Sequence, residues 1–292
     1  MQRTRGERIF SGLNIILLLL FSLAMVLPFL HVIAKSFSSE TAVLSGHVSV
    51  LPVGFQTGTY RYVLENSQFY RSFAVSIQVT VIGTLLSMFL TVTSAYPLSK
   101  THLRGRPFLL IFYVFTMLFH GGIIPNYLLY RTLGITNTIW ALIAPMGLVV
   151  FNMLIVKSFM EGLPESVEES ARMDGASYAR ILVAIVIPMS LPVIATISLF
   201  YAVAYWNNFF FALIYITKPS LKPLQLFLYE LVTESMMNVH ELQEISAERA
   251  MNLTTESILS ATIVVATVPI LLVYPFLQRY FVKGVVIGSV KG

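Results

Sequence analysis

The chain has no cysteine, which removes disulfides, thiol chemistry and zinc–thiolate sites from consideration. Charge is scarce: Asp, Glu, Lys and Arg make up 11% of the 292 residues, where a soluble domain carries roughly 25%. Asp174 is the sole aspartate. No charged side chain lies in the interior of any apolar run, whereas proton-driven carriers tend to keep carboxylates or histidines there as relays. His120 is the relay candidate within the third segment and reads as structural or cavity-lining beside Gly121-Gly122. No G-x-x-x-x-G-K-[ST] phosphate loop occurs, so any ATP would be hydrolysed on another polypeptide. No nucleophile–base dyad or metal-ligand cluster appears within the apolar segments. No catalytic residue, metal site or cofactor is therefore assigned to this chain. The net charge of +5 comes without single-sign runs or aromatic–basic interleaving, which argues against nucleic acid.

Apolar segments fill the chain instead: 56% of it is hydrophobic and its mean hydropathy is +0.78. A membrane span takes about 20 mostly apolar residues, and six segments qualify: 10–34, 72–98, 108–130, 138–156, 181–216 and 258–281. The first follows Arg3, Arg5 and Arg8 and exceeds the roughly 7–15 residues of a secretory core, so it reads as a retained span. The third is interrupted by His120-Gly121-Gly122 and Pro125. The fifth is long enough to tilt or break at Pro188 and Pro192. Basic residues precede the first span, fill the link after the second (Lys100, Arg104, Arg106) and stand at or beyond the end of the last (Arg279, Lys283, Lys291). With six spans these lie on one side, the cytoplasm by the positive-inside bias. The expected fold is an all-α membrane protein of six transmembrane helices, a single domain over 1–292 with both termini cytoplasmic. The outward loop 217–256 is acidic and carries helical patterning at Leu224–Met236 and His240–Met251.

The polar island at 161–180 punctuates this pattern. Glu161, Glu165, Glu168, Glu169 and Asp174 sit here. Leu163-Pro164-Glu165 starts a helix with proline at its first position. Acids in the first turns suit the helix dipole, and Glu168 and Arg172 are spaced to pair. Gly175 supplies a left-handed stop, and Ser177 can cap a second helix. The product is helix, sharp turn, helix at the cytoplasmic surface; an ordinary solvated loop is the plainer reading.

Glu169-Ser170-Ala171, three residues, Gly175, then Pro188 and Pro192 resemble the EAA loop of ABC-importer permeases, with serine in place of the usual alanine at Ser170. The flanks Ile124-Pro125, Leu133-Gly134, Trp206-Asn207-Asn208 and Tyr280-Phe281-Val282-Lys283-Gly284 resemble the carbohydrate-uptake, maltose-type branch, and the complex-oligosaccharide permeases within it. The resemblance covers nearly the whole chain. It implies a type I importer permease fold in the bacterial cytoplasmic membrane. It also implies a coupling helix that docks on an ATPase through Glu168, Glu169, Ala171, Asp174 and Gly175. The implied partners are a second homologous permease, an ATP-binding-cassette ATPase dimer that holds ATP and Mg, and an extracytoplasmic solute-binding protein. The implied cargo is oligosaccharide, including acidic polysaccharide breakdown products, moved by alternating access. In such relatives the C-terminal tail, here Gly284–Gly292, reaches the ATPase interface; a frayed end is the alternative.

Tyr205, Trp206, Asn207 and Asn208 place aromatic faces and amides in the fifth span, where they can meet sugar rings and hydroxyls. The alternatives are helix–helix contacts or Trp206 as an interfacial anchor. Asn126, beside Gly121-Gly122 and Pro125, marks either a cavity or a kink. Two other classes stay open: a stand-alone secondary carrier driven by an ion gradient, since broken helices can bind sodium through backbone carbonyls, and an intramembrane enzyme assembled from distant residues.

Overall fold

The computed structural model of the chain describes residues 5–241, 256–269 and 271, and among these every regular element is helical. Helix α1 (Arg5–Ser36) is apolar on all sides, and its most apolar stretch is unburied, with burial confined to Ala34 and Ser36 at its end. A helix with no polar face has only lipid or protein to face. Helices α2 (Glu40–Leu44) and α3 (Gly58–Glu65) are short and precede the long α4 (Ser67–Ser99). One face of α4 is buried and built from small residues three or four apart, Ser76, Val79, Gly83, Ser87, Thr91 and Ala95. Such a stripe lets a neighbouring helix approach closely.

Three helical pairs with sharp bends follow. Helix α5 (Arg106–Leu118) meets α6 (Ile123–Thr132) at 108°, with Gly122 in the left-handed half of the map at φ 85. Helix α7 (Trp140–Ile143) and a 3-10 turn, Ala144–Met146, meet α8 (Val150–Glu161) at 53°. After α9 (Glu165–Met173), the run of α10 (Tyr178–Ile181), a π turn at Leu182–Val186 and α11 (Ile187–Met189) meets α12 (Leu191–Trp206) at 85°. Pro188 and Pro192 flank that corner, as expected, because each removes an amide donor and crowds the preceding turn. The chain continues through α13 (Phe210–Tyr215), α14 (Leu224–Glu241) and α15 (Glu256–Pro269).

The described residues form two compact units. The first contains the residues up to Phe69 and those of Leu228–Pro269. Here Ser38 Oγ donates to the Ala34 carbonyl at 2.6 Å and accepts from the Val53 amide at 3.0 Å. Phe37 stacks on Phe55 and Tyr60 at 5.4 and 4.6 Å. Lys35 pairs with Glu256 at 3.1 Å. The stretch after the first span is thus a folded surface structure. The second unit, Tyr70–Phe227, holds the main core, with Leu142, Ile143, Met153, Val156, Ile181 and Ile197 fully buried. In it α12 and α5 pack on α8, and α13 packs on α7.

Several sequence expectations shift. Among the described residues, two helices are long and apolar enough to cross a membrane unbroken, and the count reaches five if each bent pair is one span. The fourth segment, expected to be continuous, breaks between Met146 and Val150, where Pro145 and Gly147 disfavour an α-helix. The fifth does not run to residue 216: α12 ends at Trp206 with Asn207 as its cap. That puts Tyr205–Asn208 at a helix terminus rather than mid-span. Of the sixth, Glu256–Pro269 is helical; apart from Leu271, the remainder to 281, with the tail and its basic residues, lies outside the described residues. So does most of His240–Met251, whereas Leu224–Met236 falls within α14.

Candidate functional site

The polar island folds as helix, turn, helix. Pro164 is the cap residue of α9 at φ −61 and ψ 118, one position earlier than expected, since its extended backbone turns the chain out of α8. The far end closes on Gly175 at φ 78. There the Ala176 amide donates to the Ala171 carbonyl at 2.9 Å and the Gly175 amide to that of Arg172 at 3.0 Å. These two bonds make the Schellman arrangement, which needs a left-handed residue. Ser177 accepts from the Arg180 amide at 3.4 Å and opens α10.

The inner side of α9 is held by a cation from the α4–α5 link. Glu168 is 6% exposed. One carboxylate oxygen takes the Lys100 ammonium at 2.5 Å, and the other accepts from the Tyr96 hydroxyl at 3.4 Å. The Lys100 ammonium also lies 4.9 Å from the Tyr96 ring centroid. Glu168 therefore pairs with Lys100 rather than with Arg172, which instead lies over the Tyr178 ring at 5.8 Å. Arg106 bonds Glu161, as does Lys157 at 2.7 Å, and Arg106 Nε donates to the Leu98 carbonyl at 2.9 Å. Ala171 packs half-buried against the core.

The outer side of α9 is free. Glu169, Ser170, Asp174 and Gly175 are exposed, and Met173 is 88% exposed. Val167 and Tyr178 add exposed apolar surface beside it. Sequence reasoning missed Met173 and Lys100. The periodicity could have found Met173, because Ser166, Glu169, Ser170 and Met173 share one face of a helix. Lys100 carried no local signal, since its partner lies 68 residues away.

The fifth-span candidates separate into different roles. The Tyr205 hydroxyl lies 2.8 Å from Ser87 Oγ and donates to the Ile143 carbonyl at 3.1 Å. The Tyr201 hydroxyl lies 2.8 Å from Thr91 and accepts from the Val149 amide at 3.0 Å. Asn208 donates to the Leu142 carbonyl at 3.2 Å and accepts from the Phe211 amide at 3.2 Å. Together they bond backbone groups around the break before α8 and at the start of α13, where polar backbone atoms need partners if water is excluded. Trp206 is buried edge-on against Phe73 at 6.0 Å, and its indole N–H has no partner among the described residues. Asn207 is exposed and donates to the Val203 carbonyl at 2.9 Å. Asn126 is exposed in the first turn of α6. His120 is exposed at the α5–α6 break.

Comparison with known proteins gives consistent matches over the whole length. The profile of the family described as "Binding-protein-dependent transport system inner membrane component" matches residues 1–287. The polygalacturonan/rhamnogalacturonan transport system permease protein YtcP of Bacillus subtilis (strain 168) is 45% identical over 286 residues, covering 98% of this chain and 99% of the relative. Protein LplC of the same organism is 44% identical over 294 residues, covering 100% and 98%. The crystal structure of a bacterial ABC transporter involved in the import of the acidic polysaccharide alginate contains a chain with TM-score 0.86 and 33% identity, covering 96% of this chain and 99% of that one.

Proposed function

The chain belongs to the family of binding-protein-dependent transport system inner membrane components, and from that premise we propose that it moves acidic, uronate-containing oligosaccharides. It is the permease subunit of an ABC importer in the bacterial cytoplasmic membrane, and ATP hydrolysis belongs to separate subunits. The stand-alone carrier has no support, because the family is one component of a binding-protein-dependent system. The cargo follows from the relatives: one is named for polygalacturonan and rhamnogalacturonan, another for alginate.

The observation that carries the mechanism is the two-sided α9. Its inner face is fixed by Lys100, and its outer face presents Glu169, Met173, Asp174 and Gly175. That outer face docks in a groove on an ATPase dimer that holds ATP and Mg. Glu168 and Ala171 seat the helix from behind rather than touching the partner. Closure of the ATPases displaces α9, and the displacement passes to α8 and α10, which flank it in sequence. Packed helices shift as rigid bodies, exposing the pathway to one side and then the other. A second homologous permease completes the pathway, and an extracytoplasmic solute-binding protein delivers the sugar. The six-span topology with both termini cytoplasmic is part of this reading. It is supported by Lys100–Glu168 and Arg106–Glu161, which tie the residues around the α4–α5 link to α9 and to the end of α8. Residues 1–292 act as one transmembrane domain. Asn126, Trp206 and Asn207 remain sugar-path candidates, while Tyr205 and Asn208 shape the path by holding the break before α8.

The test is uptake by proteoliposomes containing the chain with its co-purified partners. Oligogalacturonate should enter only with ATP and the binding protein, and neutral oligosaccharides of the same length should not compete. Uptake driven by an ion gradient without ATP would contradict the importer reading. ATP-driven uptake of neutral sugars alone would contradict the cargo.

A further inference from the structure

A short helix joined to its neighbours only at its two ends can roll about its own axis. Helix α9 has nine residues and is joined to α8 through Gly162-Leu163-Pro164 and to α10 through Asp174–Ser177. Both joints are turns, one closing on a left-handed glycine. If α9 rolled, a push on its outer face would be spent in rotation. Glu168 lies near the middle of α9, on the face opposite Glu169 and Met173. Its side chain is 7% exposed, that of Lys100 is 15% exposed, and their charged atoms are 2.5 Å apart. The Tyr96 hydroxyl holds the second oxygen, so the carboxylate is bonded on both sides. A pair this enclosed is hard to open, because each separated charge would stay desolvated.

The far end of this strut is distinctive. Tyr96 and Lys100 stand at the C-terminal end of α4, which is continuous with neither neighbour of α9. Helix α4 is in turn joined to α12 by Thr91–Tyr201 and Ser87–Tyr205, and Gly83 seats the Tyr205 ring against its backbone. The strut thus adds a third, off-axis point of attachment and leads from α9 into the α4–α12 pair.

Resting on the coupling role proposed above, we infer that Lys100 and Glu168 are positioning residues for energy coupling. Their ion pair, braced by Tyr96, stops α9 from rolling and delivers ATPase movement to α4 and α12. Lys100 touches neither sugar nor nucleotide in this account.

The experiment uses the complete reconstituted importer and reads three quantities: co-purification of the ATPase, ATP hydrolysis, and sugar imported per ATP. Lys100→Met should assemble and hydrolyse ATP, yet its sugar-per-ATP ratio should fall roughly 5-fold or more, the size of a typical coupling between sites. The exchanged pair Lys100→Glu with Glu168→Lys should recover most of the ratio, and Lys100→Arg should stay near wild type. If Lys100→Met does not assemble, Tyr96→Phe carries the test, since it removes a single hydroxyl from an otherwise intact pair; it should lower the ratio with assembly unchanged. An unchanged ratio in every variant that assembles would overturn the inference, leaving the pair a stability element. So would an exchanged pair that assembles but does not recover. Absence of ATP-dependent uptake in the wild-type importer would overturn the function itself, and is told apart because it appears before any substitution.

Discussion

Gly175→Val is expected to insert in the membrane at wild-type levels and to lose nearly all ATP-coupled uptake. No atom lies within 4 Å of the position a Cβ would occupy at Gly175, so a Cβ there meets no clash within the chain. Within the chain its effect is one of backbone conformation: the residue sits at φ 78. An L-residue loses roughly 1–2 kcal/mol in that region, and a β-branched side chain is the least tolerant of it. The cheapest relief is to unwind the turn, which releases the bonds from the Ala176 and Gly175 amides and changes the angle between α9 and α10. Gly175→Asn is the matched control. Asparagine adopts the left-handed conformation more readily, so it should keep a substantial share of uptake while adding a side chain of similar bulk. Uptake assays on membranes with matched permease levels compare the two. Equal loss in both variants would show that the outer face cannot accept any side chain there, rather than that the turn matters.

Gly83→Ala should be the most destabilising single-methyl addition in the second unit. A Cβ on Gly83 would come within 2.7 Å of the Tyr205 ring. That ring cannot rotate away cheaply, because its hydroxyl is bound to Ser87 and to the Ile143 carbonyl. The helices must separate or the hydroxyl must leave its partners. Overpacking of this kind costs typically about 1–3 kcal/mol, and the freed Ile143 carbonyl adds to it. Thermal unfolding in detergent should show a clear drop in Tm for Gly83→Ala. Adding Tyr205→Leu should not lower it further by a comparable amount, because the clash and the lost bond are then the same event. Fully additive losses would show that Gly83 and Tyr205 do not form one packing unit.

The sequence made some of this legible for identifiable reasons. The left-handed stop at Gly175, the cap at Ser177 and the corner at Pro188 and Pro192 depend on local chemistry, and each lies where its residue type dictates. The first two spans depend on apolar length alone, and α1 and α4 contain them. What depended on tertiary contact stayed hidden. Spacing offered Arg172 as the partner of Glu168, whereas the fold supplies Lys100 from another link. The break before α8 was passed over because a run of apolar residues hides a backbone interruption whose donors and acceptors are satisfied by Tyr201, Tyr205 and Asn208 from elsewhere. For the same reason Tyr205 and Asn208 looked available for sugar when read from their chemistry alone; their polar atoms are bonded to backbone. The Glu168 carboxylate is buried against Lys100 and Tyr96, a contact that spacing along the chain does not show.

The absence of native cysteine makes the decisive measurement clean. Met173→Cys places a single thiol on the most exposed large apolar position of α9, and a photoreactive thiol label attached there will react with whatever covers it. In native membranes containing the whole importer, illumination should join the chain to the ATP-binding subunit, with a yield that changes when ATP is added. The same label should be unreachable by membrane-impermeant quenchers added from outside the cell. Quenching from outside, or cross-links to lipid and the solute-binding protein in place of the ATPase, would contradict the account of α9 as the coupling element.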